Sequence, residues 1–253
     1  GKCGDKATWA LTNSGVLKIS GTGSVSDNAD FKDEKYNGLI REVLIFDGIE
    51  SIEDYALFGL YNAETISFLG NTVKSINAGF AGNSKISYFY VPGSVESISM
   101  SDSFIGCENL ESIHFRSKNT KITLENDAAQ LKGITIYGYT DSNAETFANQ
   151  NGCIFESQDP DFTINSGKEE TNDANVSITF NVYATSDFKQ YKIGNGEYAD
   201  IPFGGTDLNL DNKDGEKTVS ITFKNDFNEI TKTHTVYLNN KHKLTYMVDG
   251  EIF

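Results

Sequence analysis

The fold is decided by one short stretch, Phe104-Ile105-Gly106-Cys107-Glu108-Asn109-Leu110-Glu111-Ser112-Ile113-His114-Phe115, whose pattern returns along the chain. In this pattern a bulky residue stands two positions before a glycine. A triplet follows, in which two apolar residues flank one residue that points outward. Such triplets begin at positions 43, 66, 89, 113 and 134, spaced by 23, 23, 24 and 21 residues. They are Val43–Ile45, Ile66–Phe68, Phe89–Val91, Ile113–Phe115 and Ile134–Ile136. The sequence thus predicts a series of structural repeats with one strand each.

Positions between the triplets keep the same period. Bulky residues precede glycines by two positions at Leu57 and Gly59, Phe80 and Gly82, and Phe104 and Gly106. Further apolar positions inside the units are Ile52, Ile76, Ile98 and Ile122. Each unit offers only a few apolar side chains, so the units must bury them against one another. One strand per unit at a period of about 20 to 29 residues predicts a leucine-rich-repeat solenoid.

Two segments of this pattern resemble the BspA-like leucine-rich repeats of bacterial surface proteins. They are Val91-Pro92-Gly93-Ser94-Val95-Glu96-Ser97-Ile98 and Ser103–Ile113. The chain departs from the family pattern at Leu60 and Asn83, where the family often has cysteine, and between residues 117 and 131, where the bulky residue and the glycine are missing. The resemblance implies an extracellular module, at the cell surface or secreted, that recognises a host or microbial surface protein or glycan in adhesion.

Both ends of the solenoid carry sequences that predict caps. Alternating apolar residues around the turn Thr12-Asn13-Ser14-Gly15 predict an N-terminal β-hairpin, with Trp9 over the end of the first repeat. At the other end, the capping box Ser142-Asn143-Ala144-Glu145 and the stop at Gly152 predict a helix. A last strand is expected at Cys153–Phe155. The solenoid with its caps is predicted to span residues 1–156.

The sequence after residue 156 has the alternating pattern of strands with one wet face. Strands are predicted at 176–183, 191–193, 217–223 and 233–238. Short strands at this spacing suggest a sandwich, and the segments 191–198 and 214–219 resemble bacterial immunoglobulin-like modules. We therefore expect a mainly β chain with an all-β immunoglobulin-like β-sandwich at 157–240. Residues 241–253 fit either the start of a further β-module or a final edge strand.

The charge of the chain limits its partners. Its 21 Lys and Arg against 36 Asp and Glu give a formal net charge of −15. Nucleic acid is not expected as a partner, because phosphate binding depends on clusters of Lys and Arg. No apolar run reaches the length of about 18 residues that a membrane span needs, so no membrane insertion is expected. Cys3 and Cys153 lie at opposite ends of the solenoid, so no disulfide between them is expected.

Catalytic motifs are missing from the sequence, and we expect no enzymatic function. The chain has no His-Glu-x-x-His zinc motif, no Cys-x-x-Cys pair, no phosphate-binding glycine loop with lysine and no Gly-x-Ser-x-Gly elbow. Cys107 and His114 do not form a nucleophile and its base, because the repeat pattern turns Cys107 inward and His114 outward.

One cluster of oxygen-bearing side chains suggests a cation. Asp207, Asn209 and Asp211 alternate along a predicted strand, and Asp214 and Glu216 follow in the next turn. Ca²⁺ prefers such oxygen ligands, although the spacing differs from that of an EF-hand loop. A charged edge strand that prevents edge-to-edge association carries the same residue types. We expect no cofactor, with Asp207, Asn209, Asp211 and Asp214 as the candidate ligands for Ca²⁺.

The outward side of the repeat strands is the predicted binding surface. Successive side chains alternate faces and neighbouring strands lie about 4.8 Å apart, so outward residues form a ladder. Its central lane is predicted to be Leu44, Ser67, Tyr90, His114 and Thr135. The flanking lanes are Glu42, Thr65, Tyr88, Ser112 and Phe46, Leu69, Pro92, Arg116, Tyr137. Aromatic rings and donors gather at one end, which gives the predicted ligand-binding residues Tyr88, Tyr90, His114, Arg116 and Tyr137.

Two functions are compatible with these patterns. One is a monomeric binding or adhesion module that recognises a protein or glycan through the strand face. The other is an architectural stalk or spacer that presents another domain, such as an enzyme, outside this sequence. A contiguous patch of exposed aromatic residues favours binding, whereas a uniformly polar face favours the stalk. Aromatic residues on a β-surface also pack on one another without any ligand.

Overall fold

The structure is a computed structural model that describes residues 1–126, 129–184, 188–201 and 207–239, together with the backbone of 247–248 and 251–252. The chain divides into two compact units, Gly1–Gln158 and Asp159–Phe253. Each unit contains its own hydrophobic core.

The first unit is built mainly of short strands. Along the chain these are β1 (Lys6–Leu11), β2 (Val16–Val25), β3 (Glu42–Ile45), β4 (Ile49–Ile52), β5 (Thr65–Phe68), β6 (Ser75–Ile76), β7 (Tyr88–Val91), β8 (Ser97–Ser99), β9 (Ser112–Phe115), β10 (Lys121–Thr123), β11 (Thr135–Gly138) and β12 (Ile154–Ser157). Helix α1 (Glu34–Asn37) precedes β3, and helix α2 (Asn143–Asn151) precedes β12. Turns of 3-10 helix lie at Asp30–Lys32 and Ala129–Leu131.

The strands of the first unit stack in parallel rows, with consecutive repeats side by side. One side of the unit carries the row β2-β3-β5 and the row β7-β9-β11-β12. β2 also pairs with β4, which begins a further row of β4, β6, β8 and β10. All of these pairings are parallel. Parallel stacking of one strand per repeat is the architecture of a solenoid, and this prediction is confirmed.

One continuous core runs through the solenoid. The predicted inward residues Val43, Ile66, Phe89, Ile113 and Ile136 are buried in it, as are Leu57, Phe80 and Phe104 before the repeated glycines. The rings of Phe80, Phe89 and Phe104 pack with centroids 4.8 to 5.8 Å apart. Ile122 is only partly buried, because β10 is the edge strand of its row.

The last repeat strand begins later than the sequence predicts. The predicted triplet is Ile134–Ile136, whereas β11 aligns Ile136 with Ile113 and Tyr137 with His114. The predicted register is therefore wrong by two positions. Ile134 and Ile136 are both buried and differ by one strand period, so both registers keep the apolar residues inside. In the observed register Ile136 follows Ile113 by 23 residues, the period of the earlier repeats.

The predicted N-terminal hairpin caps the first repeat. β1 and β2 pair antiparallel, with Trp9 opposite Ile19. Trp9 is buried, and its ring packs edge-to-face against Phe31 and Tyr36 at centroid distances of 5.9 and 5.0 Å. Trp9 thus closes the end of the core rather than presenting its ring face to solvent.

The predicted helix closes the other end of the solenoid. Ser142 is the N-cap of α2, and its Oγ accepts a hydrogen bond from the Glu145 backbone N–H at 3.2 Å. The Glu145 side chain in turn accepts a hydrogen bond from the Asp141 backbone N–H. Gly152 follows the helix with φ at +71°, a conformation in which glycine avoids steric strain. The helix packs Ala144, Phe147 and Ala148 into the core.

A tyrosine in the first repeat connects three repeats through their loops. The Tyr55 hydroxyl donates a hydrogen bond to Asp102 Oδ2 at 3.1 Å, and this bond and the Asp102 charge raise the pKa of Tyr55. Gly79 lies against the Tyr55 ring, has φ at +64°, and would place a Cβ only 2.4 Å from ring atoms. Gly79 is therefore required both by its conformation and by the space it leaves.

The second unit is built of strands in two main sheets. The strands are β13 (Phe162–Ile164), β14 (Glu170–Thr171), β15 (Asn175–Phe180), β16 (Phe188–Ile193), β17 (Ala199–Asp200), β18 (Asp207–Asn209), β19 (Gly215–Lys224), β20 (Glu229–Leu238), β21 (Met247–Val248) and β22 (Glu251–Ile252). One sheet has the order β13-β15-β18 and the other the order β14-β20-β19-β16-β17. Short 3-10 turns lie at Asn165–Gly167 and Val182–Ala184.

Both main sheets contribute to one core in the second unit. Val176 and Leu208 come from the first sheet, and Val219, Phe223 and Val236 come from the second. The four predicted strands all overlap observed ones, whereas the immunoglobulin-like topology stays a prediction. At the C-terminal end, β21 and β22 pair antiparallel. The remaining residues of the predicted β-module or edge strand at 241–253 lie outside the described residues.

Candidate functional site

The five predicted binding residues lie on neighbouring strands of one row. Tyr88 and Tyr90 are on β7, His114 is on β9, Arg116 follows β9 directly, and Tyr137 is on β11. The residues that alternate with them along each strand are buried in the core. These five side chains therefore lie on the outer face of the sheet.

Three of the rings stack face to face across the strands. The ring centroids of Tyr90 and His114 are 4.4 Å apart with planes inclined by 28°, and those of His114 and Tyr137 are 4.4 Å apart with planes inclined by 4°. We call Tyr90, His114 and Tyr137 the aromatic column. On β11 the residue of the central lane is therefore Tyr137, and on β12 it is Glu156. The prediction of Thr135 in this lane is wrong, because Thr135 lies opposite Ser112 in a flanking lane.

Tyr88 and Arg116 border the aromatic column at Tyr90. The Tyr88 ring meets Tyr90 edge-to-face at a centroid distance of 5.6 Å. The guanidinium carbon of Arg116 lies 5.3 Å from the centre of the Tyr90 ring, within the range of a cation–π interaction. Tyr88 and Tyr90 are 45% and 42% exposed, and Arg116 is also exposed. The five residues thus form one contiguous surface of aromatic rings with a positive charge.

His114 is held in place by polar neighbours. Its Nε2 lies 3.1 Å from Ser112 Oγ, and its ring is also hydrogen-bonded to the side chain of Gln158. Burial lowers the pKa of the imidazole, the Gln158 hydrogen bond opposes this shift, and the Arg116 charge adds to it. The net effect places the pKa of His114 below its ordinary value of 6.5. At neutral pH His114 therefore takes part in the stack mainly as an uncharged ring.

The tyrosine hydroxyls of this face are available to a ligand. Within the described part of the chain, the hydroxyls of Tyr88, Tyr90 and Tyr137 take part in no hydrogen bond and are not among the buried polar groups without a partner. Tyr88 and Tyr90 are exposed residues, and Tyr137 is half-buried. Each phenol hydroxyl can donate one hydrogen bond and accept another. The face thus offers hydroxyl groups together with a guanidinium group.

Sequence reasoning missed two contributions to this site. Gln158 follows the last repeat, so no repeat position indicated its contact with His114. Ser112 was placed in a flanking lane without a role. Its position two residues before His114 on one strand puts both side chains on the same face, and this spacing is the signal that identifies the pair.

The predicted calcium ligands lie on β18 and in the segment that follows it. Asp211 Oδ1 accepts a hydrogen bond from Lys217 Nζ at 2.6 Å, a contact that lowers the pKa of the carboxyl. Asn209 Oδ1 accepts a hydrogen bond from the Asp211 backbone N–H, while Asp207 is exposed on β18 and Asp214 precedes β19. In the described ranges, no three His, Cys, Asp or Glu side chains gather as a metal-binding group. Calcium would compete with Lys217 for Asp211. The expectation of no cofactor, with calcium as the alternative, stays a prediction.

The three cysteines are all free thiols. Cys107 is buried, lies 3.4 Å from Ser84 Oγ, and donates to the Ala81 carbonyl at 3.3 Å. Burial raises the pKa of Cys107 and Cys153, and it raises that of Cys3 to about 11. Since the thiolate is the reactive form, these groups lack the environment of an activated nucleophile.

One family model for repeats matches part of the chain. Residues 33–153 match the family model described as BspA type Leucine rich repeat region, in six copies. A solved structure, a leucine-rich repeat protein from Eubacterium ventriosum, is 24% identical over 46% of this chain and 44% of that chain, with a TM-score of 0.33. The present chain thus corresponds to less than half of that protein. No curated protein matches the chain.

The described helices include none that is long and apolar enough to cross a membrane. The parallel rows of strands, their period and the family match agree on the first unit. The first unit is therefore a repeat solenoid in which residues 33–153 are similar to the BspA-type leucine-rich repeat model.

Proposed function

We propose that the strand face formed by Tyr88, Tyr90, His114, Arg116 and Tyr137 is a recognition surface for a macromolecule outside the cell. The chain is a binding or adhesion module of a secreted or surface-exposed bacterial protein. The observation that carries this proposal is the aromatic column, which joins three consecutive repeats into one continuous surface.

The composition of this face supports binding. Tyrosine and arginine are the residues that most often dominate the energy of protein interfaces, because they bury a large area and also offer polar groups. Here two exposed tyrosines, the other two rings of the column and an arginine are adjacent, whereas a stalk requires only a polar surface. Stacking between the rings fixes their positions, so little side-chain entropy is lost when a partner binds.

The second unit has no part in recognition in this proposal and serves as a spacer. The recognition surface lies on the first unit, and the second unit is an immunoglobulin-like spacer. The module acts as a monomer without catalysis or a cofactor. BspA-type repeats are typical of surface or secreted proteins, which supports the extracellular location. Host or microbial surface proteins and glycans are the candidate partners.

An array experiment tests the proposal. Three proteins are applied to arrays of glycans and of extracellular-matrix and bacterial surface proteins. They are the parent, the face variant Tyr90→Ala/Arg116→Ala and the control Lys192→Ala/Tyr198→Ala. The control is matched, because Lys192 Nζ lies 4.9 Å from the centre of the exposed Tyr198 ring in the second unit. We expect the face variant to lose affinity about tenfold or more, as at interface hot spots, and the control to bind like the parent.

Two results contradict the proposal. If the parent binds nothing on the arrays, the architectural stalk is the better account. If the face variant keeps its fold and binds with the affinity of the parent, another surface is responsible. Circular dichroism and the melting temperature of each variant establish that the first unit is intact.

A further inference from the structure

We propose that the end of the strand face at β12 binds a basic side chain, lysine or arginine, of a partner polypeptide. The groups that hold it are the free face of the Tyr137 ring and the carboxylate of Glu156. This inference rests on the proposed function and specifies the chemistry of the partner. It follows from the orientation of the Tyr137 ring, from the register of β11 and β12, and from the charges on these strands.

The Tyr137 ring has one covered face and one free face. His114 covers the first face, with ring centroids 4.4 Å apart and planes inclined by 4°. Strands β9 and β12 lie on opposite sides of β11 in this row, so the second face of the ring is turned towards β12. Within the described part of the chain, no other ring contact and no cation–π contact involves Tyr137.

The residue opposite this free face is an acid. Glu156 lies opposite Tyr137 in the parallel register of β11 and β12, and neighbouring strands are about 4.8 Å apart. Glu156 is exposed, and among the described residues its carboxylate has no hydrogen-bond or ion-pair partner. A cation on the free ring face therefore lies within reach of this carboxylate. It gains a cation–π interaction with Tyr137 and an ion pair with Glu156.

An exposed apolar residue completes the site. Ile154 stands two positions before Glu156 on β12, so both side chains point to the same face of the sheet. Ile154 is 51% exposed. The stems of lysine and arginine are chains of CH₂ groups that pack along apolar surface while the charged end stays in water. Ile154 offers that apolar surface, which favours a basic side chain over a small inorganic cation.

The charges on the strands favour a cation at this end of the face. Glu156 is the only charged residue of β11 and β12. Arg116 lies over the Tyr90 ring, at the other end of the aromatic column. The net charge of −15 also attracts basic segments over longer distances. A charged residue on an edge strand also prevents edge-to-edge pairing of sheets, but either sign of charge fulfils that role. Reversal of the charge at Glu156 therefore separates the two roles.

Peptides of matched length test the inference. They alternate Ser with Lys, Arg, Glu or Gln, and fluorescence anisotropy of the labelled peptides measures their affinity. NMR of protein with ¹³C in its tyrosine rings shows where the peptides bind. The variants are Glu156→Lys, Glu156→Gln, Tyr137→Leu and Tyr137→Phe.

Glu170→Lys is a matched control. Glu170 is an exposed residue of the edge strand β14 and lies opposite the exposed Tyr237, so the change in charge and the neighbouring residue type are the same as at Glu156. The difference is that no ring stacks on Tyr237 among the described residues, so nothing fixes the orientation of its ring.

The Lys and Arg peptides are expected to shift the ring signals of Tyr137 and to bind less tightly as salt rises from about 50 to about 500 mM. Glu156→Lys lowers their affinity about tenfold, because an attraction becomes a repulsion. Glu156→Gln and Tyr137→Leu each lower it about threefold, the size of an exposed ion pair or cation–π contact. Tyr137→Phe keeps the ring face, and it binds like the parent, as Glu170→Lys does.

Three results overturn the inference. The first is that the Gln or Glu peptides bind as tightly as the basic ones. The second is that Glu156→Lys keeps the affinity of the parent, which leaves only the protection of the sheet edge. The third is an equal loss in Glu156→Lys and Glu170→Lys, which assigns the attraction to net charge. If Glu156→Lys fails to fold, Glu156→Gln decides, because it keeps the size of the side chain.

The two proposals fail in distinguishable ways. If Tyr90→Ala/Arg116→Ala loses the ligand found on the arrays while Glu156→Lys and Tyr137→Leu keep it, the recognition face is correct and its basic partner is refuted. If that ligand binds the parent and Tyr90→Ala/Arg116→Ala equally, the recognition face itself is refuted.

Discussion

At the scale of single residues, His114 connects the packing of the first unit to pH. The imidazole is half-buried between two tyrosine rings, and its pKa lies below the ordinary value because burial penalises the charged form. The unfolded chain therefore binds the proton more readily than the folded one. The stability contributed by neutral His114 is fully present above the unfolded-state pKa of 6.5 and is lost as the pH falls through the lower folded-state pKa.

His114→Phe tests this linkage while keeping a ring in the column. The parent is expected to lose stability in the first unit between about pH 7.5 and about pH 5, and the variant to lose less over the same interval. The melting temperature of the first unit at both pH values measures the difference. An equal loss in both proteins assigns the pH dependence to other groups.

Gly79 is a second residue whose substitution is expected to change the stability of the first unit. Gly79→Ala places a methyl group 2.4 Å from Tyr55 ring atoms at a φ of +64°, whereas Gly133→Ala has φ at +80° and meets no atom within 4 Å. Both variants bear the conformational cost of alanine in this region, about 1 kcal/mol. We expect Gly79→Ala to lower the free energy of unfolding by about 1 to 3 kcal/mol more than Gly133→Ala, as overpacking does. Urea denaturation of both variants measures this difference, and equal losses would show that the Tyr55 ring moves aside freely.

The sequence allowed the face on which the site residues lie to be predicted, but not all of their neighbours. Alternation along strands placed Tyr88, Tyr90, His114, Arg116 and Tyr137 on the outer face. The stacking of Tyr137 on His114 was not predictable, because Ile134 and Ile136 fit the inward lane equally well and the repeat before β11 lacks its marker residues. A shift by two residues keeps every side chain on its face and changes only its neighbours.

At the scale of elements, helix α2 closes the end of the solenoid, and a local sequence motif predicted it. The capping box was readable because Ser142 and Glu145 have side chains that satisfy backbone N–H groups at the helix start. The strands β4, β6, β8 and β10 were not predicted as strands, since runs of two to four residues carry too little pattern. Only their inward isoleucines were identified, as members of the repeat.

Removal of the Ser142 hydroxyl is expected to weaken this cap. Ser142→Ala leaves the Glu145 backbone N–H without its acceptor and should lower the free energy of unfolding of the first unit by about 1 kcal/mol. Ser142→Thr keeps an acceptor oxygen and serves as the control. Chemical denaturation followed by circular dichroism measures both variants. A loss in Ser142→Thr as large as that in Ser142→Ala would point to packing at this buried position instead of capping.

At the scale of the whole molecule, each compact unit has a separate core. Phe104 and Ile113 are buried in the first core. Phe104→Ala or Ile113→Ala is expected to lower the free energy of unfolding of the first unit by about 2 to 5 kcal/mol, with the second unit unaffected. Calorimetry resolves the two transitions. If the second transition shifts together with the first in these variants, the units do not fold independently.

The repeat architecture of the first unit was easier to predict than the strand order of the second unit. The reason is that the same apolar positions recur in every repeat. In the second unit each strand occurs once, so strand positions such as β15 and β19 followed from alternation while the order of strands within the sheets did not. Sheet order depends on contacts between distant segments, which alternation within a strand does not encode.

The central claim is that the aromatic column meets the partner directly, and tyrosine ring signals in NMR test it. The protein is labelled with ¹³C in its tyrosine rings and titrated with the ligand that binds most tightly on the arrays. The account predicts that the signals of Tyr88, Tyr90 and Tyr137 shift on binding, while those of the exposed residues Tyr61 and Tyr198 stay unchanged. Saturated binding that leaves the Tyr88, Tyr90 and Tyr137 signals in place would contradict it.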